Sequence, residues 1–447
     1  MVTSDVRGGG WRSHSFSLPK AIPEPLPPAQ LCCTSPFIVD IKPEDFKQHP
    51  DIMSILKLHA RSIYNAVGLP AFEVELITKY GMFRAAATGA GHKAFEEQQE
   101  VLDCDPTRFH GQGVMRAVKH VNEFIGPSLC NQCLLVTEQA KLDSFLREMN
   151  HHTDLGCPAL LAISRAICRA GAVARDMPLS AYIAHLAGTK MVLPLPVILA
   201  VTCDNPDRIF CSYYFVPKSA TSIKEALTMV ADCVGALRAL LRDAHGLFGT
   251  NVSQDGGFAL TDMAEREVFL TLVTAINHAG HGGHVLIAVA TSDANPCAGP
   301  RLESLRSIIR EFPVEVIYTH PASPAQNTGD LRSLIGPVKL HTEWRGGPLE
   351  NGQLQPLWTR PGALATVTDA IDMVRKSSSV ALMRGPEGTE DAFLADLSTG
   401  LGVSQVITGG MCRSEHVAKF NQLLRIEDDL SKGEFVVGAL RRDTQCG

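Results

Sequence analysis

The chain has 447 residues, about three times the usual length of one domain, so we expect two or three domains. With 45% apolar and 20% charged residues, the composition is that of a globular protein, which excludes a disordered or collagen-like chain. The formal net charge of −6 argues against a protein that binds nucleic acid through its phosphates. No uninterrupted apolar run approaches the roughly 18 residues that cross a bilayer, so we expect no membrane insertion.

The cysteines and the N-terminal sequence suggest the compartment. The 13 cysteines follow no regular spacing, which favours reduced thiols over a disulfide framework. The first ten residues, MVTSDVRGGG, are not followed by the apolar stretch of a signal peptide. We therefore expect a cytoplasmic protein.

Residues 1–48 are expected to form a proline-rich flexible tail. The stretch SLPKAIPEPLPPAQ over 17–30 contains five prolines, which favour an extended chain and remove backbone donors. A role of this tail in docking a partner stays open.

Residues 49–188 are expected to form an α+β domain. ILKLHARSIYN and AFEVELITKYGMFRAAA alternate with period two and predict two or three antiparallel strands. Helices are predicted over 113–125, 137–148 and 157–175, and the third is apolar around most of its circumference, which predicts that it is buried.

Residues 189–447 show the rhythm of a β/α barrel, in which short apolar runs alternate with helical segments. The first two predicted strands have no helix between them. The predicted strands are 192–201, 213–217, 285–290, 314–319, 338–343, 357–359, 380–383 and 405–408. The predicted helices are 223–244, 262–279, 302–311, 363–376 and 415–430.

Two long segments are specific enough to compare with known families: LKLHARSIYNAVGLPAFEVELITKYGMFRAAA near the start and CRSEHVAKFNQLLRIEDDL (412–430) near the end. The first resembles the opening hairpin of the enolase family, and the second resembles its C-terminal helix. GTEDAFLADLSTGL, QGVMRAVKHVNEFIGPSL, TEQAKLDSFL, ARDMPLSAYIAHLAG, VLPLPV and NVSQDGGFA also align. The resemblance covers about residues 50–430 and implies an α/β fold, in which an N-terminal α+β domain precedes an atypical ββαα(βα)6 barrel.

The resemblance implies dehydration of 2-phosphoglycerate to phosphoenolpyruvate with two Mg²⁺ ions held by three carboxylates. In this chain those ligand positions fall on Ala290, Tyr318 and Glu343, and Glu343 is one methylene longer than the family's aspartate. Since Mg²⁺ requires near-octahedral oxygen coordination, a single carboxylate does not suffice. We expect that no magnesium cofactor binds.

The positions that the resemblance assigns to proton transfer are also changed. The lysine base falls on Arg360, and an arginine stays protonated near neutral pH, so it cannot accept a proton. The acid that activates the leaving hydroxyl falls on Asp255, its glutamate partner on Ser212, and the loop histidine near Cys203.

The positions that bind the substrate's phosphate and carboxylate are altered in the same way. The family's His-Arg-Ser trio falls on Arg384, Gly385 and Pro386, and a later lysine falls on Ile407. The mobile-loop serine aligns near Gly91.

Other motifs have a structural interpretation beside a functional one. TGAGHK (88–93) lacks the spacing of a phosphate loop, and Cys130 with Cys133 has no second CxxC pair. His278, His281 and His284 lie in a glycine-rich turn, which favours a solvated loop over a metal site. Arg360, Arg384, Glu343 and Asp255 either plug the barrel mouth through salt bridges or bind a small anion.

The best-matching segments are those that meet across the family's dimer interface. The resemblance implies inter-subunit pairs of Arg61 with Asp428 and of Glu73 with Arg425, and all four residues have the required charge. The alternative is that these segments match only because they pack the fold.

The leading interpretation is an enolase-fold pseudoenzyme that acts as a structural, scaffolding or regulatory dimer. The alternatives are a divergent enolase with weak or altered lyase activity, and an inactive partner of an active enolase. Expected partners are a second copy, an enolase, or a cytoskeletal or other protein, and the expected location is the cytoplasm with possible attachment to the cytoskeleton.

Overall fold

A computed structural model describes most of the chain from Ile55 to Leu430. The described residues are 55–88, 103, 105, 107–132, 134–153, 156–203, 205, 208–260, 263–291, 300–319, 338–343, 356–359, 365–376, 379–383 and 388–430. The predicted tail over 1–48 lies outside them, and the predicted domain boundaries at 48 and 188 stay predictions.

The described chain opens with a three-stranded antiparallel sheet, as the alternating sequence predicts. Its strands are β1 (Ile55–Tyr64), β2 (Pro70–Thr78) and β3 (Gly81–Ala87), with β2 in the centre. Along β2 every second side chain is buried, so one face packs on the core and the other carries charged residues. Gly68 has φ 78° in the turn between β1 and β2, a conformation that favours glycine.

The helix predicted over 113–125 is divided and extended. It comprises α1 (Met115–His120), a π-helical turn (Val121–Ile125) and α2 (Gly126–Cys130). In the π-helical turn, Asn122 accepts a hydrogen bond from the Ala60 amide at 2.7 Å and donates one to its carbonyl at 3.0 Å. The turn therefore covers an open edge of β1 with a side chain that replaces a neighbouring strand.

Two longer helices complete the N-terminal part. They are α3 (Gln139–Thr153) and α4 (Cys157–Ala174). Helix α4 is long and apolar enough to cross a membrane, but 72% of it is buried inside the protein, as expected of the core helix predicted at this position. It packs on β2 and β3.

Eight strands close into a barrel. They are β4 (Leu195–Thr202), β5 (Phe210–Val216), β7 (Leu286–Thr291), β8 (Val314–Thr319), β9 (Lys339–Glu343), β10 (Pro356–Thr359), β11 (Ser379–Met383) and β12 (Gln405–Ile407), and a two-residue strand, β6 (Phe258–Ala259), pairs with β4. Strand β12 pairs with β4 and closes the ring, while β5 is antiparallel to both β4 and β7. The expected barrel with an atypical opening is confirmed.

Seven helices are described around these strands, of which α5 precedes β4 and the others follow β5 or a later strand. They are α5 (Leu179–Ala187), α6 (Ile223–His245), α7 (Glu265–His278), α8 (Pro300–Glu311), α9 (Val367–Lys376), α10 (Phe393–Leu401) and α11 (Ser414–Asp429). Both α6 and α7 follow β5 before β7 begins, which is the expected ββαα order. Helix α5 was not among the predicted helices.

The buried apolar side chains of the described residues form three clusters. One lies between the N-terminal sheet and α1–α4, and a second lies between the barrel strands and their helices. The third and smallest fills the barrel interior and includes Val197, Leu199, Tyr214, Val216, Ala288, Ala290, Val316, Tyr318 and Ile407.

Candidate functional site

Three of the altered site positions lie together inside the barrel. Ala290, Tyr318 and Ile407 belong to the same buried cluster and are at most 4% exposed. The strand register places Ser212 opposite Ala290, and Ala290 opposite Tyr318, on the neighbouring strands β5, β7 and β8. The barrel thus brings together the positions at which the resemblance implies ligands and fills them with close-packed side chains.

Tyr318 occupies the interior with its ring and its hydroxyl. The ring packs edge-on against Tyr214 and His341, with ring centroids 5.9 and 5.6 Å apart. Its Oη donates a hydrogen bond to Gln405 Oε1 at 2.6 Å. The Tyr318 hydroxyl is therefore hydrogen-bonded inside the barrel to a neutral side chain. His341 and Gln405, which are 1% and 3% exposed, were not singled out in the sequence.

The opening strands carry two further altered positions. Cys203 follows the end of β4, is fully buried and receives a hydrogen bond from Arg208 Nη1 at 3.2 Å. Burial raises the pKa of the Cys203 thiol to about 11, although Arg208 acts in the opposite direction. A thiol held in this neutral form is a poor nucleophile and a poor metal ligand. Ser212 Oγ lies 3.8 Å from Cys211 Sγ.

Asp255 lies in a loop that the C-terminal segment holds in place. Its carbonyl accepts a hydrogen bond from the Gly410 amide at 2.9 Å. Arg413 Nε donates to the Ser253 carbonyl at 2.8 Å, and Cys412 Sγ donates to the Gly256 carbonyl at 3.1 Å. The half-buried Asp255 is thus positioned by the residues that precede α11.

The remaining predicted site residues are described partly or not at all. Gly91, Arg360, Arg384, Gly385 and Pro386 lie outside the described residues. For Glu343 the structure gives the backbone: Tyr318 pairs with His341, so Glu343 lies two residues further along β9. The predicted salt-bridged plug of the barrel mouth therefore stays a prediction.

The described residues contain no group of three or more His, Cys, Asp or Glu side chains that could hold a metal ion. His281 Nε2 lies 3.1 Å from Asp232 Oδ2, and His284 Nδ1 lies 3.1 Å from Ser219 Oγ. Among the positions implied for magnesium, Ala290 offers no oxygen and Tyr318 offers a hydroxyl that donates to Gln405. This donor set does not fit Mg²⁺, which requires several oxygen ligands at short range.

A groove opens where the N-terminal sheet faces the barrel's C-terminal segment. It has a volume of about 570 Å³, and its lining includes Glu73, Arg84, Glu390 and Glu415. Arg84 pairs with Glu75 at 2.6 Å, outside this lining, so its positive charge is already balanced. Glu73 is likewise paired with Arg61 and Asp391 with Arg169, so Glu390 and Glu415 give the groove a net negative charge that suits a basic side chain.

The residues of the predicted dimer pairs lie on exposed or half-buried surfaces. Within the chain, Arg61 forms ion pairs with Glu73, at 3.4 Å, and with Glu75. Arg425 and Asp428 are exposed on α11, where Arg425 Nη1 donates to Gln422 at 3.2 Å. All four residues are present at the surface, and their pairing with a second subunit stays a prediction.

An ion pair that the sequence analysis did not identify joins α4 to the segment before α10, with a buried carboxylate on Asp391 and a partly exposed guanidinium on Arg169. Arg169 makes two hydrogen bonds with the carboxylate of Asp391, at 3.0 and 2.6 Å, and Asp391 also accepts one from the Ala86 amide at 3.0 Å. Arg165 and Arg169 both lie over the ring of Phe393, at 5.4 and 5.3 Å. Two arginines four residues apart in an otherwise apolar helix were the available signal for buried charge.

Comparison with known protein families agrees with this architecture. The family described as "Enolase, N-terminal domain" matches residues 55–183. The family described as "Enolase, C-terminal TIM barrel domain" matches residues 190–295 and 357–444. The fold is thus a TIM barrel preceded by an α+β domain, and the chain belongs to the enolase family. Residues 296–356, which contain Tyr318 and Glu343, lie between the two matched stretches of the barrel.

Proposed function

We propose that this chain is an enolase-fold pseudoenzyme, a structural or regulatory protein that does not convert 2-phosphoglycerate to phosphoenolpyruvate. The observation that carries the proposal is the apolar packing of Ala290, Tyr318 and Ile407 inside the barrel. The reaction requires a dianionic intermediate to be stabilised by metal ions and cationic groups. An apolar interior would instead raise the energy of such an intermediate.

The identity of the residue at position 360 supports the same proposal. A base must be neutral before it takes a proton, and Arg360 stays protonated near neutral pH. Loss of a general base costs roughly 10² to 10⁴ in rate, and loss of the metals adds to that cost.

A spectrophotometric assay of phosphoenolpyruvate formation tests this proposal directly. The purified chain is assayed with saturating Mg²⁺ beside an ordinary enolase at equal concentration. We expect a rate at least about a thousandfold lower. A rate within about a hundredfold would contradict the proposal and favour the alternative of a divergent lyase.

The quaternary part of the proposal is a dimer formed through the N-terminal sheet and α11. Glu73 lines the groove while paired with Arg61, and the net negative charge from Glu390 and Glu415 is complementary to a basic side chain such as Arg425 of a second subunit. A symmetric dimer would use each residue of such a pair twice, once on each side of its axis. Analytical ultracentrifugation at micromolar concentration is expected to give twice the chain mass, and a monomer would overturn this part.

A heteromer with an active enolase is the second candidate, because an enolase would present the same complementary surfaces. Mixing the chain with an active enolase and separating the products by native mass spectrometry distinguishes the two. Homodimers alone would support self-association, whereas mixed dimers would support a regulatory role. A cytoplasmic location, with or without attachment to the cytoskeleton, belongs to the same proposal.

A further inference from the structure

A second groove lies between the helices α4 and α5 on one side and α10 and α11 on the other. Its volume is about 320 Å³. We propose that this groove binds an alkylammonium group, the chemical class that includes small organic amines and the end of a lysine side chain. Nothing in the proposed structural role assigns a ligand to this groove.

A buried carboxylate lines the groove. Asp396 is 6% exposed, and its Oδ2 accepts a hydrogen bond from Gln422 Nε2 at 3.1 Å. The neighbouring cation is Arg169, but both of its terminal nitrogens are bonded to Asp391, at 3.0 and 2.6 Å. Arg169 is therefore engaged with Asp391, beside which Arg165 adds a second positive charge, whereas the hydrogen bond to Asp396 Oδ2 comes from the neutral amide of Gln422.

The groups that face Asp396 come from all the packed elements. Helix α4 contributes Arg169 and Cys168, the segment before α10 contributes Asp391, and α11 contributes Gln422. From α11 the exposed Asp429 also lines the groove, and α5 adds the neutral hydroxyl of Ser180. When Asp396 is ionised, Asp391, Asp396 and Asp429 together outnumber Arg169 and Arg165, which acts on Asp391, by one charge that a ligand cation would balance.

Burial raises the pKa of Asp396 to about 7, and Arg169 and Gln422 reduce this rise. The carboxyl group is thus divided between its two protonation states near neutral pH. An ammonium group beside it would stabilise the carboxylate, so binding would release a proton from the fraction that is protonated.

The walls of the groove indicate what kind of group the ligand carries next to its ammonium. Leu179, Met191 and Ile426 contribute apolar surface next to the carboxylate. This arrangement suits a ligand with an alkyl chain and a cationic end, because the chain would contact the apolar wall and the cation would contact the carboxylate. An anionic ligand would meet the charges of Asp396 and Asp429 and be repelled.

Isothermal titration of the full chain with butylamine, butanol and butyrate tests this inference, because the three probes share their size. We expect butylamine alone to bind, with an affinity that rises from about pH 6 to about pH 8 as Asp396 ionises. Titration in two buffers of different ionisation enthalpy would report the released proton. The variant Asp396→Asn is expected to weaken binding roughly tenfold or more, whereas Asp429→Asn at the rim should weaken it less.

Equal binding of butanol, or unchanged binding by Asp396→Asn, would overturn the inference. Because Asp396→Asn could alter folding, circular dichroism is recorded, and Met191→Trp provides a second variant that fills the groove while Asp396 is kept. Butylamine binding that survives Met191→Trp would place the ligand elsewhere and also overturn the inference.

Parallel titration with Nα-acetyl-lysine amide distinguishes a lysine side chain from a free amine as the natural ligand. Binding of both probes assigns a lysine side chain, and binding of butylamine alone assigns a free amine. None of these readouts depends on lyase activity or dimerisation.

Discussion

Tyr318 on β8 and Gln405 on β12 are joined across the inside of the barrel by a hydrogen bond of 2.6 Å between Oη and Oε1. The two residues lie on strands that are not neighbours, and they are 0% and 3% exposed. The interior is therefore held closed by a neutral pair at a position where the resemblance to enolases implies a metal ligand.

The first prediction concerns this pair. Tyr318→Phe leaves the amide oxygen of Gln405 buried without its hydroxyl donor, so we expect the free energy of unfolding to fall by about 1–3 kcal/mol. Urea denaturation measures the change. Tyr64→Phe is the matched control, since Tyr64 is 68% exposed and its variant should unfold like the wild type. Equal losses in both variants would show that the pair has no special role.

The second prediction concerns metal. A ligand that binds only the folded state raises the melting temperature as its concentration rises. Since Ala290 and Tyr318 supply no suitable oxygen set, we expect millimolar Mg²⁺ to leave the melting temperature of this chain unchanged. A magnesium-dependent enolase, measured in the same way, serves as the control. A rise of several degrees that EDTA reverses would contradict the prediction.

The third prediction concerns the ion pair of Arg169 with Asp391. Arg169→Met removes the hydrogen-bonded cation of Asp391, and Arg165 keeps a second positive charge nearby, so we expect a cost of about 1.5–3 kcal/mol in unfolding free energy. Arg306→Met, which removes an exposed pair with Glu303 at 3.4 Å, should change little. A double-mutant cycle with Asp391→Asn measures the coupling, and a coupling near zero would mean that the two side chains act independently.

The same pair predicts a loss of stability in acid. Burial opposes ionisation of Asp391, but Arg169, Arg165 and the Ala86 amide outweigh it and hold the pKa of this carboxyl below its usual range. Its contribution is therefore complete above the unfolded pKa, near 4, and is lost as the pH falls below that value. Asp391→Asn should remove this acid-dependent part of the unfolding curve.

The fourth prediction concerns Asp396 and has the opposite sign. Burial raises the pKa of Asp396 to about 7, so between about pH 4 and pH 7 the folded chain binds a proton that the unfolded chain has released. We expect this group to lower stability by roughly 1.4 kcal/mol per pH unit across that range, with no further change above it. Asp396→Asn should abolish the slope, and an unchanged slope would show that Asp396 titrates normally.

The fifth prediction concerns the proposed dimer. Glu73→Arg places a positive charge opposite Arg425 of a second subunit, so we expect the variant to sediment as a monomer. Glu73→Arg combined with Arg425→Glu restores the opposite charges and should restore the dimer. Arg306→Glu on α8 is the control for a general effect of charge reversal. A Glu73→Arg variant that remains dimeric would place the interface elsewhere.

Local pattern predicted most of the described elements because period and composition report which face of a segment is buried. The alternation in β1 and β2 predicted strands, and the apolar circumference of α4 predicted a core helix. The missed elements lack such a signal. Helix α5 is short, and the π-helical turn around Asn122 depends on the edge of β1, more than 60 residues away along the chain.

The candidate site, too, was predictable from the sequence only in part. Alignment with a known family assigned Ala290 and Tyr318 to ligand positions, and the register of β7 and β8 confirms that they lie side by side. The partners of Tyr318 were not predictable, because Gln405 reaches it only when the barrel closes. The ion pair of Arg169 with Asp391 joins residues 222 positions apart, a separation at which periodicity carries no information.

The sequence by itself determined the family and the order of the barrel strands, and it predicted that the ligand positions of the family are altered, because these depend on residue identity at aligned positions. Only the tertiary structure decided what surrounds Ala290, Tyr318 and Ile407: an apolar cluster in which Tyr318 is hydrogen-bonded to Gln405. It also decided how buried charges meet: Asp391 and Asp396 lie near Arg169, and Arg165 acts on Asp391 as well. The physical reason is that burial and pairing depend on which distant segments meet, and the cost of a charge depends on its surroundings.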